Sequence, residues 1–246
     1  MTATRPIAVV GTGTGVGKTV VTAGLTRLLR EAGYEARAIK PAQTGHPLDD
    51  DAAFVAAACD DPDAATCPHY LEPALAPRVA AEVTDEPLEY AAIRTACERE
   101  IATTPVPIVE GIGGLRVPLA DDREVIDLVA DLGAAAVVVT RSGLGTLNHT
   151  ALSIDALEAR GIDVVGIVCN EYAGETTAER TNPAELERMT GYAVETVPPL
   201  AGDGDEEGTE NGTGERERED DPRELATGVC QALSPAFRDR LPIEND

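Results

Sequence analysis

The sequence predicts an α/β fold, a doubly wound and mostly parallel sheet with helices on both faces. Two observations carry this. Short apolar runs alternate with segments of helical spacing, and strands that read as continuous apolar runs are those buried on both faces. The polar and glycine-rich residues gather where the runs end, which is where open parallel sheets place their ligands.

In order, residues 7–10 form the first apolar run and 20–31 the first helix. A second strand over 36–40 stops at Pro41, and a helix over 52–58 follows the acidic entry Asp49, Asp50 and Asp51. Acids are favoured at a helix start by the macrodipole. Residues 60–87, rich in Pro and Asp, read as an irregular excursion before a helix over 88–101. The third strand, 106–109, ends at Glu110 and runs into the glycines 111, 113 and 114. A short helix over 124–132 leads to the fourth strand, 135–139; a loop at 141–145 then opens a helix over 146–159. The fifth strand, 164–168, stops at Cys169 and Asn170, and a helix over 182–189 precedes a last strand over 193–197 and the turn Pro198-Pro199-Leu200. Residues 201–221 carry almost nothing apolar and read as a disordered acidic insert, followed by a C-terminal helix over 222–233. The whole, 1–246, reads as one domain.

The stretch Gly11 to Thr19, GTGTGVGKT, lies between the first strand and the first helix. That context is what a phosphate-binding loop requires, and it makes the fold P-loop NTPase-like. Backbone N–H groups of Gly13, Thr14, Gly15, Val16 and Gly17 can converge on an anion at a helix N-terminus. Lys18 adds a mobile charge for the β- and γ-phosphates of ATP, and the Thr19 hydroxyl can ligate Mg²⁺. Thr12 stands where the strict pattern has its first glycine. Glu110, at a strand end in the same sheet, can hold Mg²⁺ opposite the Thr19 hydroxyl or simply be a solvated acid, and Asp51 is a further candidate in competition with Asp49 and Asp50. Lys40, at another strand end, aims a charge at a phosphoryl or carboxylate oxygen. Gly145 opens a helix N-terminus suited to a substrate carboxylate.

Composition narrows the partners. Asp and Glu number 44 against 20 Lys and Arg, a formal charge of −24. Such a surface repels nucleic acid and acidic membranes, and its self-repulsion suits a salty cytoplasm. Of the 20 basic residues only Lys18 and Lys40 are lysine, so a compact ammonium has been kept at two places where Arg is the default. The five cysteines show no C-x-x-C pair, metal-ligand spacing or disulfide framework. No charged-then-apolar leader precedes the first strand and no run approaches transmembrane length, so the expectation is a soluble cytoplasmic protein.

The motifs resemble the ATP-dependent dethiobiotin synthetase family over residues 7–200. They are the glycine loop, Lys40-Pro41 with Thr44-Gly45, Glu72-Pro73 with Ala76-Pro77, Val109-Glu110-Gly111 with Gly113-Gly114, Leu144-Gly145 with Asn148-His149, and Asn170. The resemblance implies a ligase that joins CO₂ to 7,8-diaminopelargonic acid as a carbamate. ATP then phosphorylates the carbamate to a carbamic–phosphoric anhydride, and the second amine closes the ureido ring. It implies Lys18 and Lys40 as catalytic charges and Thr44 on the carbamate. Thr19, Asp51 and Glu110 would bind Mg²⁺, and Asn170 and Pro199 would lie at the base. Gly145, Thr146 and Asn148 would hold the substrate carboxylate across a homodimer interface. The chain departs from the family at Gly13 and Gly15, where members often carry an acid. It departs again near Thr181 and Asn182, where a carboxylate-holding tyrosine has no counterpart. The alternatives are another amidoligase-like enzyme on the same fold and a partition or site-determining ATPase switch. The latter places a signature lysine where this chain has Gly13.

Overall fold

β1 (Ile7–Gly11) runs through the middle of a seven-stranded parallel sheet in the computed structural model, which describes residues 4–200 and 221–243. Its side chains alternate between two cores: Ile7 and Val9 join one face, Ala8 and Val10 the other. Both faces are therefore covered, as the apolar runs predict.

The remaining elements follow in chain order. α1 (Lys18–Glu31) leads to β2 (Ala36–Ile39), β3 (Gln43–Thr44) and α2 (Asp51–Cys59). After a 3₁₀ turn come β4 (Ala65–Thr66), β5 (Tyr70–Leu71), α3 (Pro77–Thr84) and α4 (Tyr90–Thr103). Next are β6 (Val106–Gly114), the hairpin β7 (Pro118–Ala120) and β8 (Arg123–Glu124), α5 (Val125–Asp131) and β9 (Ala135–Arg141). The chain continues through α6 (Thr146–Ala159), β10 (Val164–Asn170), α7 (Thr177–Thr190), β11 (Val194–Thr196), α8 (Pro222–Ala232) and α9 (Pro235–Arg238). The main sheet has the order β11-β10-β9-β1-β6-β2-β4, every neighbouring pair parallel. The ends of β6, β2, β9 and β10 thus flank the turn that leaves β1.

Several expectations need correction. The excursion at 60–87 holds an edge strand, β4, and the eight-residue helix α3, which starts at Pro77. Pro and Asp obscured it, although Pro is well placed in a first helical turn. β6 passes through Glu110 and on to Gly114, because its glycines let it lie against the loop after β1. α7 begins at Thr177, well before residue 182. Thr176 accepts from the Glu179 N–H while Glu179 accepts from the Thr176 N–H, a capping box that starts the helix ahead of Pro183. The insert expected at 201–221 lies, apart from Asp221, outside the described residues.

α8 matches the expected C-terminal helix and packs on α1. A methyl group on Gly24 would stand 2.4 Å from Val229, so only glycine admits this approach. Cys230 donates its thiol to the Gly24 carbonyl at 3.2 Å across the same contact. Among the described residues no helix is long and apolar enough to cross a membrane.

Candidate active site

The turn from β1 into α1 is the glycine loop. Gly15 and Gly17 adopt φ values of +67° and +90°, where L side chains are strained. Gly17 is also crowded: a methyl there would stand 2.0 Å from Asn170 Nδ2. Asn170, buried at the end of β10, donates that nitrogen to the Val16 carbonyl at 3.2 Å. Gly17 caps α1 without a side-chain hydrogen bond, so no side chain covers the first N–H groups of the helix. Lys18 opens α1, and its Nζ curls back to the Gly13 carbonyl at 3.0 Å. The loop has the conformation and the free donors to receive an oxyanion.

Charges converge beside it. Ile39 pairs with Val109 in the β2–β6 register, so Lys40 and Glu110 reach one edge of the sheet together. Lys40 Nζ donates to Glu110 Oε1 at 2.8 Å and forms an ion pair with Asp51. Thr19 Oγ1 donates to the same Glu110 oxygen at 3.0 Å. Asp51 opens α2, joins the group through Lys40, and is the one acid of the 49–51 triplet in this cluster. Lys18, Thr19, Lys40, Asp51 and Glu110 therefore form one contiguous group.

Burial sets the electrostatics. Lys18, Lys40 and Glu110 are 7 %, 6 % and 2 % exposed. Desolvation, together with repulsion from Lys40, lowers the Lys18 pKa to about 8. For Lys40, burial also opposes the charge, but the carboxylates of Glu110 and Asp51 outweigh it and raise the pKa. Burial acts against ionised Asp51 too, yet the Lys40 ammonium holds its carboxyl below the usual range. Glu110 goes the other way: burial, reinforced by the Asp51 charge, raises its pKa despite Lys40.

The start of α6 sits on the other side of the loop. Gly145 is the left-handed cap of the helix, again without a side-chain bond, and Asn148 is exposed in the first turn. Thr146 turns its hydroxyl inward to Thr140, 2.7 Å away, and its N–H bonds to the Gly143 carbonyl at 3.4 Å. Arg141 spans the gap, donating to the Gly15 carbonyl at 2.9 Å. Thr44 lies in β3, partly exposed, and Pro199 is exposed beyond β11.

Three positioning residues escaped the sequence reading. Gln43, buried, accepts from the Asp51 N–H at 3.1 Å and donates to the Thr44 carbonyl at 2.9 Å, tying two expected ligands together. Asn182 donates to the carbonyls of Ser142 and Gly143 at 2.7 and 3.1 Å and so holds the turn before Gly145. Thr140 bonds with both Thr12 and Thr146. In sequence they are ordinary polar residues, and nothing local marks them.

Comparison with known proteins agrees with this geometry. A family model described as an AAA domain matches residues 5–201. An ATP-dependent dethiobiotin synthetase of Haloferax mediterranei is 60 % identical over 198 residues, covering 80 % of this chain and 85 % of the relative. The enzyme of that name from Aquifex aeolicus is 33 % identical over 195 residues, covering 78 % and 88 %. Among solved structures, a ParA family ATPase from Chlorobium tepidum superposes with a TM-score of 0.58 at 14 % identity, covering 98 % of this chain and 99 % of that one. The cell division ATPase MinD of Pyrococcus furiosus gives 0.52 at 18 % identity, covering 93 % and 100 %. These two likenesses establish a P-loop NTPase fold and nothing finer. Identity over most of both chains decides the family, and with it the expectation from the motifs: the chain belongs to the ATP-dependent dethiobiotin synthetases.

Proposed function

We propose that the chain uses ATP to close the ureido ring of dethiobiotin from 7,8-diaminopelargonic acid and CO₂, with the five-residue cluster as its phosphoryl-transfer site. The observation that carries this is the meeting of Lys18, Lys40, Thr19, Asp51 and Glu110 beside a loop shaped for phosphate. A partition-type switch is not favoured, since the relatives identical over most of the chain carry the synthetase name.

One amine of the substrate adds to CO₂ and loses a proton to give a carbamate. A carbamate oxygen attacks the γ-phosphorus, the bond to ADP breaks, and a carbamic–phosphoric anhydride forms. The second amine attacks the carbamoyl carbon, phosphate leaves with its electron pair, and a proton is released. Such chemistry asks the protein for position and charge rather than a covalent nucleophile. The loop N–H groups and Lys18 hold the β- and γ-phosphates. Lys40 neutralises the carbamate and the transferring phosphoryl group, and Thr44 hydrogen-bonds the carbamate. Asn170 and Pro199 lie toward the base. The N–H groups at Gly145 and Thr146, with Asn148, take the distant carboxylate, completed by a second copy of the chain in a homodimer.

A magnesium ion fits the donor set. Thr19 offers a hydroxyl and Asp51 and Glu110 carboxylates, all hard oxygens, and the two carboxylates already pair with a cation, Lys40. Among the described residues no group of three or more His, Cys, Asp or Glu forms a metal cage. An ion that keeps several waters and leans on substrate phosphates needs none. When bound, magnesium would neutralise charge on the phosphates.

The reading extends to a protein of the cytoplasm that binds neither nucleic acid nor membrane. Its test is an assay in high KCl with ATP, Mg²⁺, bicarbonate and the diamine. Dethiobiotin and ADP should appear in equal amounts, with ADP release dependent on the diamine. ATP turnover indifferent to the diamine would restore the switch.

A further inference from the structure

The Thr140 hydroxyl has three partners, which is the full capacity of a hydroxyl: one donated proton and two lone pairs. Thr12 lies 3.2 Å away, Thr146 lies 2.7 Å away, and Thr150 donates to it at 3.0 Å. Thr146 and Thr150 are themselves 3.4 Å apart. Thr140, Thr146 and Thr150 are buried, with exposures of 1 %, 3 % and 0 %. The partners come from separate parts of the site. Thr12 opens the glycine loop, Thr146 begins α6, and Thr150 stands one turn further along it.

Packing does not require this arrangement. Thr140 follows Val137, Val138 and Val139 on β9, all fully buried, and valine has the same shape as threonine. Buried hydroxyls must find partners to avoid a desolvation penalty, and a satisfied hydrogen bond adds only modest net stability. What these bonds add is direction. The Thr12 N–H already bonds to the Val139 carbonyl at 3.0 Å, which anchors the loop along β9. The hydroxyl cluster supplies a second restraint, from the loop across to α6.

We infer that Thr140 is a positioning residue for the reaction: its hydroxyl sets the distance between the glycine loop and the start of α6. On the reading given above, that is the distance between the phosphoryl donor and the carboxylate anchor of the acceptor. Thr140 touches neither substrate and acts through Thr12 and Thr146. The consequence appears in kcat more than in binding, since a small misplacement of reacting atoms costs rate while each half-site keeps its own contacts.

The experiment compares the full-length wild type with Thr140→Val and Thr140→Ser, measuring kcat, both KM values and the melting temperature in high KCl. Valine keeps the volume and removes the hub, whereas serine keeps the hydroxyl. Thr140→Val should lower kcat by about 10- to 100-fold while KM for ATP stays within about threefold, and Thr140→Ser should stay within about threefold of wild type throughout. If Thr140→Val does not fold, Thr150→Val removes one of the three bonds and should lower kcat in the same direction by a smaller factor. A Thr140→Val enzyme with unchanged kcat overturns the inference, as does a Thr140→Ser enzyme as slow as the valine variant. A wild type that forms no dethiobiotin would instead overturn the reading of the site itself.

Discussion

Lys40 Nζ lies 2.8 Å from Glu110 Oε1, and both groups are almost wholly buried. Two adjacent parallel strands carry them to the same edge, so the fold itself makes the pair. The ion pair from Lys40 to Asp51 and the bond from Thr19 to Glu110 extend it to α2 and α1. A change in Glu110 therefore acts on three elements together.

Glu110→Gln keeps the shape of the side chain and removes its charge, leaving Lys40 with Asp51 alone. Dethiobiotin formation should fall by at least about 100-fold, the scale seen when a preorganised electrostatic group is lost. Circular dichroism should show the fold retained. A rate close to wild type would take Glu110 out of the site.

Lys18 carries a stability cost that comes from its burial. Burial has lowered its pKa from 10.5 to about 8, so the folded state disfavours the charged form. Below pH 8 the lysine is charged in both states and the penalty is full. Between pH 8 and 10.5 the unfolded chain holds more protons, so stability rises with pH; above 10.5 the penalty is gone. Lys18→Met should thus be more stable than wild type at pH 7, by an amount on the order of 3 kcal/mol at most. The gain should fade by pH 10.5, while turnover is abolished at every pH. Urea unfolding across pH checks the sign, and a gain that grows with pH would contradict it.

Lys18→Arg tests the rarity of lysine in this chain. A planar guanidinium cannot reproduce the curl of the ammonium onto the Gly13 carbonyl. Turnover should be lost with the melting temperature nearly unchanged, and near-normal activity would remove the argument.

Gly17→Ala should destabilise the loop twice over, through its φ of +90° and through the 2.0 Å approach to Asn170 Nδ2. The first term costs about 1 kcal/mol and remains in any background. The second depends on Asn170, so the double variant Gly17→Ala with Asn170→Ala should be less destabilised than the sum of the single changes. Strict additivity in denaturant titrations would mean that the two residues do not meet.

Salt is the remaining lever. A net charge of −24 should make the melting temperature rise with KCl through the range where screening strengthens. A flat response would separate the acidic composition from stability.

Much of this was legible in the residues. The glycine loop, the charges at Lys40 and Glu110 and the glycine start of α6 announce themselves, because backbone freedom and a charge closing an apolar run are local signals, although β6 runs on past Glu110 to Gly114. α6 spans the residues expected of it, and α8 falls one residue short at its end. What escaped depends on three-dimensional company. α3 hid in a stretch coloured by Pro and Asp, and the start of α7 hid behind Pro183. Gln43, Thr140 and Asn182 are ordinary polar residues in sequence and become positioning groups only where the fold buries them against carbonyls and hydroxyls. The inward turn of the Thr146 side chain had no local signal either.

The most direct test of the central claim is a crystal structure of the chain with Mg²⁺ and a non-hydrolysable ATP analogue. The γ-phosphate should lie in the glycine loop within about 3 Å of both lysine ammonium groups, with the metal between the Thr19 hydroxyl and the Glu110 and Asp51 carboxylates. An analogue bound elsewhere, or a γ-phosphate reached by Lys18 while Lys40 and Glu110 face away from it, would contradict the account.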